Sequence, residues 1–202
     1  MKKEKKIAIR TVAARCFAEQ GYERTSIELI ARQTRVAQGL VRYYFSTKEQ
    51  LYFEAAHATM SALKKCLMAT PDIQDGPRAA VRRFVLDYMA FTSDPDNAYG
   101  LIYQESPFKI LRDPCFVHDI NTVSLEILDI LREILAAVLP ADQALETATI
   151  IVTSLHGIQR ARLSPKLREL INLDRVADFF SSSVPDPGIT TARMATRQQG
   201  RP

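Results

Sequence analysis

Apolar residues recur at helical spacing along nearly the whole chain, and runs alternating at a period of two are almost absent, so the pattern predicts an all-α fold. Ile9, Val12, Ala13, Cys16 and Phe17 form the first stripe, and Gly21 follows as a left-handed C-terminal stop. Thr25 or Ser26 can cap a second helix that runs to about Thr34, with Glu28 three residues after Thr25 in a capping-box arrangement. A turn at Arg35-Val36 then leads to a third helix near Gln38 to Tyr44. Thr47 with Gln50, or Ser46 with Glu49, caps a long fourth helix from Lys48 to about Thr70.

Beyond Ala62 the pattern predicts a larger helical body. Asp75-Gly76-Pro77 opens a helix carrying Ala80, Phe84, Met89 and Phe91, which ends near Asp94-Pro95. A short helical piece over Asn97 to Ser106 is stopped by Pro107. Asp113-Pro114 starts a long helix through Ile120, Leu128, Leu131, Ile134 and Leu135 to Leu139-Pro140, and another covers Ala141 to Leu163. Leu173, Val176, Ala177 and Phe180 make the stripe of the last helix. Residues 184–202, rich in Pro, Gly, Thr, Gln and Arg, read as a disordered tail.

Composition narrows the class. The 202 residues are 47% hydrophobic and 25% charged, the balance of a folded chain with a real core. No apolar run approaches the ~20 residues that span a bilayer, and Met1-Lys2-Lys3-Glu4-Lys5-Lys6 lacks the apolar stretch of a signal peptide, so a cytoplasmic protein without a membrane partner is expected. Cys16, Cys66 and Cys115 are widely spaced with no CxxC pair, which predicts reduced thiols. Cys115 and His118 stand three apart on a helix, but with no second pair they support no metal site. No phosphate-binding loop, dinucleotide fingerprint, nucleophile elbow or H-E-x-x-H motif is present, so neither a catalytic residue nor a cofactor is expected.

Charge is distributed unevenly. Residues 1–60 hold eleven Lys and Arg against six Asp and Glu, whereas the remainder holds sixteen against seventeen. A basic segment on a near-neutral body suits a phosphate-binding module on a separate scaffold.

The packing of the second and third helices sharpens that reading. A steep helix crossing needs a small residue at the close approach, an apolar residue in the turn and another pointing back, and Ala31, Val36 and Val41 fill those roles. With Val41 and Phe45 inward, the third helix presents Gln38, Gly39, Leu40, Arg42 and Tyr43. Gln38 can read a base edge, Gly39 lets the backbone approach a duplex, and Leu40 can touch a thymine methyl. Arg35, Arg42, Tyr43 and Tyr44 are candidate phosphate contacts, as are Thr25 or Ser26 and Lys48 at helix starts.

Residues 7–55 resemble the DNA-binding domain of the TetR family of bacterial transcriptional regulators. The resemblance rests on the joint spacing of Ile9, Ala13, Phe17, Gly21, Tyr22, Thr25, Ser26, Ile30, Ala31, Val36, Gly39, Val41, Tyr43, Tyr44, Phe45, Lys48 and Leu51. Three positions depart from the family pattern: Arg35 stands at a turn position usually held by glycine, Ala37 replaces a capping serine, and Arg42 replaces a frequent tyrosine with a guanidinium that can bind guanine or phosphate. The resemblance implies a helix-turn-helix domain over 1–47, a helical ligand-binding and dimerisation domain over 48–183, and the tail at 184–202.

It further implies a homodimer on double-stranded, palindromic operator DNA. The penultimate helix is apolar around most of its circumference, and Ile151, Leu155, Ile158, Arg162, Val176, Phe179 and Phe180 are the expected dimer residues. An effector pocket is implied within the body, with Met60, Phe84, Tyr88, Phe91, Tyr103, Glu105, Phe108, Phe116, His118, Thr122, Glu126, His156 and Gln159 as candidates. Their aromatics favour an apolar or aromatic small molecule. The expected function is repression relieved by that ligand. The alternatives are an activator of the same type and a helical ligand carrier.

Overall fold

The structure is a computed structural model that describes residues 2–69, 75–103 and 114–185; among these there is no strand. Nine α-helices occur in that set: α1 (Lys2–Gln20), α2 (Ile27–Thr34), α3 (Gln38–Tyr44), α4 (Lys48–Met68), α5 (Pro77–Ser93), α6 (Pro114–Ala136), α7 (Ala141–Ala161), α8 (Pro165–Leu170) and α9 (Leu173–Ser182). Two 3-10 turns, Pro95–Asn97 and Tyr99–Tyr103, stand where a single short helical piece was expected, and Ser106 and Pro107 lie outside the described residues.

The caps explain the boundaries. Gly21 has φ 81°, and its amide donates to the Phe17 carbonyl at 3.0 Å, closing α1. Ser26 is the cap of α2: its hydroxyl accepts from the Leu29 amide at 3.0 Å, so the Thr25–Glu28 capping box does not form. At α4 the Thr47 hydroxyl accepts from the Gln50 amide at 3.0 Å, while the Gln50 side chain accepts from the Ser46 amide at 2.9 Å. Helix α8 was not anticipated. It has six residues, starts at Pro165 and buries none of them, so it leaves no apolar stripe.

The chain divides into two compact units, Met1–Lys65 with Phe91–Leu125, and Cys66–Ala90 with Glu126–Pro202. This differs from a division at residue 47: the first unit also holds most of α4 and the 3-10 turns. Its core gathers Ile9, Ala13, Cys16, Phe17, Tyr22, Ile30, Ala31, Val41, Phe45, Leu51 and Tyr52. Three rings lock together there: Phe17 and Tyr22 stack at 5.8 Å, and Tyr52 meets Phe17 edge-on at 5.0 Å and Tyr22 at 5.3 Å. The Tyr52 hydroxyl donates to the Leu101 carbonyl at 2.8 Å, which fastens the second 3-10 turn to α4. Cys16 is fully buried, its thiol donates to Gln33 Oε1 at 3.3 Å, and burial pushes its pKa up, as suits a core thiol.

In the second unit Arg82 on α5 pairs with Asp174 at 3.0 Å and Asp178 at 2.8 Å on α9. Arg78 donates to the Val184 carbonyl at 2.7 Å, and Val184 is 1% exposed. Residue 184 is thus packed rather than the start of a loose tail; residues 186–202 lie outside the described set.

Candidate nucleic-acid interface

The turn between α2 and α3 fixes the interface geometry. Arg35 closes α2 at φ 56° and ψ 42°, the left-handed region. Its amide donates to the Arg32 carbonyl at 3.2 Å and the Val36 amide to the Ala31 carbonyl at 3.0 Å, the paired bonds of a Schellman motif. A side chain in that region costs about 1 kcal/mol relative to glycine, and here the paired bonds hold it. The outcome is an exposed guanidinium at the junction of the two helices.

Helix α3 starts at Gln38, and Ala37 at its cap position makes no side-chain hydrogen bond, as the missing serine predicts. Val41 and Phe45 are both 0% exposed, which fixes the rotation of the helix. Gln38, Gly39, Arg42 and Tyr43 are consequently exposed, Leu40 is half-buried, and Tyr43 stands 69% free. Tyr44 is half-buried against the core and meets Tyr43 edge-on at 5.2 Å. A Cβ added at Gly39 would meet nothing within 4 Å, so the fold itself does not require glycine there. This row of amide, bare backbone, apolar, guanidinium and phenol groups combines base-reading and phosphate-binding chemistry on one short helix.

Thr25 and Lys48 are placed differently from a free phosphate contact. Thr25 is 1% exposed, and its hydroxyl lies 2.8 Å from the Gly21 carbonyl and 3.1 Å from that of Cys16. It holds the α1–α2 corner and is turned away from the exposed row. Lys48 Nζ donates to the Tyr22 carbonyl at 3.1 Å and lies 4.1 Å from the centroid of the Tyr22 ring. Ammonium has three donors, so two remain for a phosphate while the first ties α4 to the corner. Beside it, Glu49 is held below the usual carboxylate range, first by its own backbone amide, and burial pushes the Tyr22 phenol above its ordinary value. Tyr22 is therefore a neutral ring beneath a cation.

The effector candidates do not converge in the same way. Met60, Phe84, Tyr88 and Gln159 are buried, Phe91 is half-buried, and His118, Thr122, Glu126 and His156 are exposed. Glu105 and Phe108, and the side chains of Tyr103 and Phe116, lie outside the described residues. A cavity of about 230 Å³ in the first unit is lined by residues of α1, α4, the end of α5 and the first 3-10 turn, and of the candidates Phe91 alone lines it.

Of the expected dimer residues, Ile151, Leu155 and Phe180 are buried within the chain, Ile158, Arg162 and Val176 are half-buried, and Phe179 is 67% exposed. The exposed apolar groups on α7 are instead Leu145 and Ile150, 45% and 55% free. The sequence pattern does not separate these from the buried positions, because a helix apolar on all sides does not show which arc faces outward.

Comparison with known proteins agrees with this geometry. Residues 9–55 match the family described as bacterial regulatory proteins, tetR family. The chain is 30% identical over 83 residues to the uncharacterized HTH-type transcriptional regulator YuxN of Bacillus subtilis, covering 41% of this chain and 28% of that protein. It is 26% identical over 113 residues to the HTH-type transcriptional repressor AcnR of Corynebacterium jeikeium, covering 56% of this chain and 54% of that protein. The matched stretches thus span about a quarter and about half of the lengths of these relatives. The crystal structure of a bacterial regulatory protein in the tetR family from Rhodococcus RHA1 superposes with a TM-score of 0.71 at 17% identity, covering 89% of this chain and 96% of that one. At that identity the likeness is one of fold.

Proposed function

We propose, from the match of residues 9–55 to the TetR family of bacterial regulatory proteins, that this chain is a TetR-type transcriptional repressor that grips a palindromic operator as a homodimer and releases it on binding a small apolar or aromatic molecule. The family consists of DNA-binding regulators rather than enzymes. The observation that carries the reading is the rotation of α3: burial of Val41 and Phe45 leaves Gln38, Gly39, Leu40, Arg42 and Tyr43 on its accessible side. The name of the Corynebacterium relative supports repression over activation.

The reading assigns one task to each group. Gln38 reads a base edge in the major groove; Arg35, Arg42, Tyr43, Tyr44, Ser26 and Lys48 hold phosphates; Gly39 permits close approach of the helix. A ligand bound among the C-terminal helices acts through α4, which runs unbroken from Lys48 to Met68, and changes the spacing of the two reading heads.

Selection of bound DNA from a random pool, followed by titration of the selected site, tests this. A palindromic consensus and salt-sensitive binding are expected. Lys48→Ala should weaken all sequences alike, and Gln38→Ala should change the order of preference among sites; uniform loss in both variants would remove Gln38 from the reading role. Absence of sequence-selective binding at low salt would sink the proposal as a whole.

A further inference from the structure

The first turn of α1 carries a charge cluster that the fold does not use. Lys2, Lys3 and Lys5 are all exposed, and among the described residues none of the three has an ion-pair partner. Their neighbour Lys6 behaves otherwise: its Nζ lies 2.8 Å from Glu54 Oε2 and 5.3 Å from the centroid of the Phe45 ring. Lys6 therefore anchors the start of α1 at the α3–α4 turn, since Phe45 directly follows α3. The buried positions of α1 begin only at Ile9, so the turn bearing Lys2, Lys3 and Lys5 projects beyond the core.

Local physics gives no reason for this cluster to stabilise α1. Cations at the start of a helix oppose its macrodipole, and Lys2–Lys5, Lys3–Lys6 and Lys2–Lys6 are like-charged neighbours at i,i+3 or i,i+4. The residues nevertheless form helix from Lys2 onward, with Glu4 the one acid in the first turn. Lys2 stands about 6 Å along the axis beyond Lys6, and an extended lysine reaches roughly that far again, so the three ammonium groups sweep the space flanking the α3–α4 turn.

We propose that Lys2, Lys3 and Lys5 form a phosphate-contacting arm that grips the duplex backbone outside the bases read by α3, adding affinity without adding sequence preference. The arm rests on the DNA-binding reading given above and extends its footprint. Its partner is the phosphate backbone: flexible ammonium groups on an exposed turn neutralise charge, and they lack the paired donor and acceptor geometry that reads a base.

The test uses the full chain and its selected operator. Affinity is measured over a series of salt concentrations for the wild type, for the triple variant Lys2→Ala, Lys3→Ala, Lys5→Ala, and for the corresponding triple Arg variant. Each phosphate contact contributes about 0.9 to the slope of log K against log salt, so with three lysines on each protomer of the dimer the Ala variant should lose roughly 5 from that slope, about 2–3 per protomer. It should keep its order of preference among sequences and its helicity by circular dichroism, and the Arg variant should keep the wild-type slope. An Ala variant with an unchanged slope would overturn the arm while leaving the DNA-binding reading intact, as would a changed preference at a flanking base pair. A wild type that shows no selective binding would overturn both.

Discussion

Arg35 is where stability and recognition pull apart. A side chain at φ 56° costs about 1 kcal/mol relative to glycine, but glycine also gives the unfolded chain more freedom, which offsets roughly 0.4–1 kcal/mol. Arg35→Gly should therefore shift the melting temperature by no more than about +4 °C, while DNA affinity falls several-fold through loss of a phosphate contact. Calorimetry and a binding titration on one preparation would check both. Thr25 makes the opposite prediction. Its hydroxyl lies between the carbonyls of Gly21 and Cys16, so Thr25→Val should cost about 1–3 kcal/mol in urea denaturation and leave site preference unchanged. Two adjacent hydroxyls before a helix are equivalent in a sequence; the structure separates them because Thr25 falls on the buried side of the corner and Ser26 on the open side. That separation was not legible in advance, whereas the special position of Arg35 was, because the family resemblance puts it where glycine usually stands.

Helix α3 is short, at seven residues, and starts without a side-chain cap, so little of its stability is its own. Its two buried anchors, Val41 and Phe45, hold it against the first unit, which is why its extent and outward face could be read from spacing alone. Gly39 tests what that outward face is for. Since a Cβ there meets nothing within 4 Å, Gly39→Ala should raise the stability of the free protein by up to about 1 kcal/mol through helix propensity. If the backbone approaches a duplex at that point, the same change should weaken operator binding; equal or tighter binding would move the closest approach elsewhere on the helix. The elements that resisted sequence reading are too short or too exposed to show a stripe, even where, as with Tyr99 and Leu101, they hold buried side chains. Helix α8 buries nothing, and Pro95–Asn97 and Tyr99–Tyr103 are 3-10 turns too short to show a period.

At the scale of the whole molecule, a palindromic operator demands two reading heads and hence a self-complementary surface. The exposed side chains Leu145 and Ile150 on α7 and Phe179 on α9 belong to the second compact unit, as such a surface requires, while Ile151, Leu155 and Phe180 are already covered within one chain. An amphipathic helix declares its inner face in the sequence, but α7 carries apolar residues on both faces, and only its packing shows which ones are left over. Replacing Ile150 and Phe179 together by Glu should give a folded monomer by sedimentation, since neither side chain supports the core. Replacing the fully buried Leu155 by Glu should instead unfold the chain. If two heads act through linked binding, the Ile150→Glu, Phe179→Glu monomer should lose on the order of 100-fold or more in affinity for a full palindrome and keep its affinity for an isolated half-site. A variant that stays dimeric would place the two-fold interface on another face, and a monomer that still holds the palindrome at full strength would remove the need for a dimer.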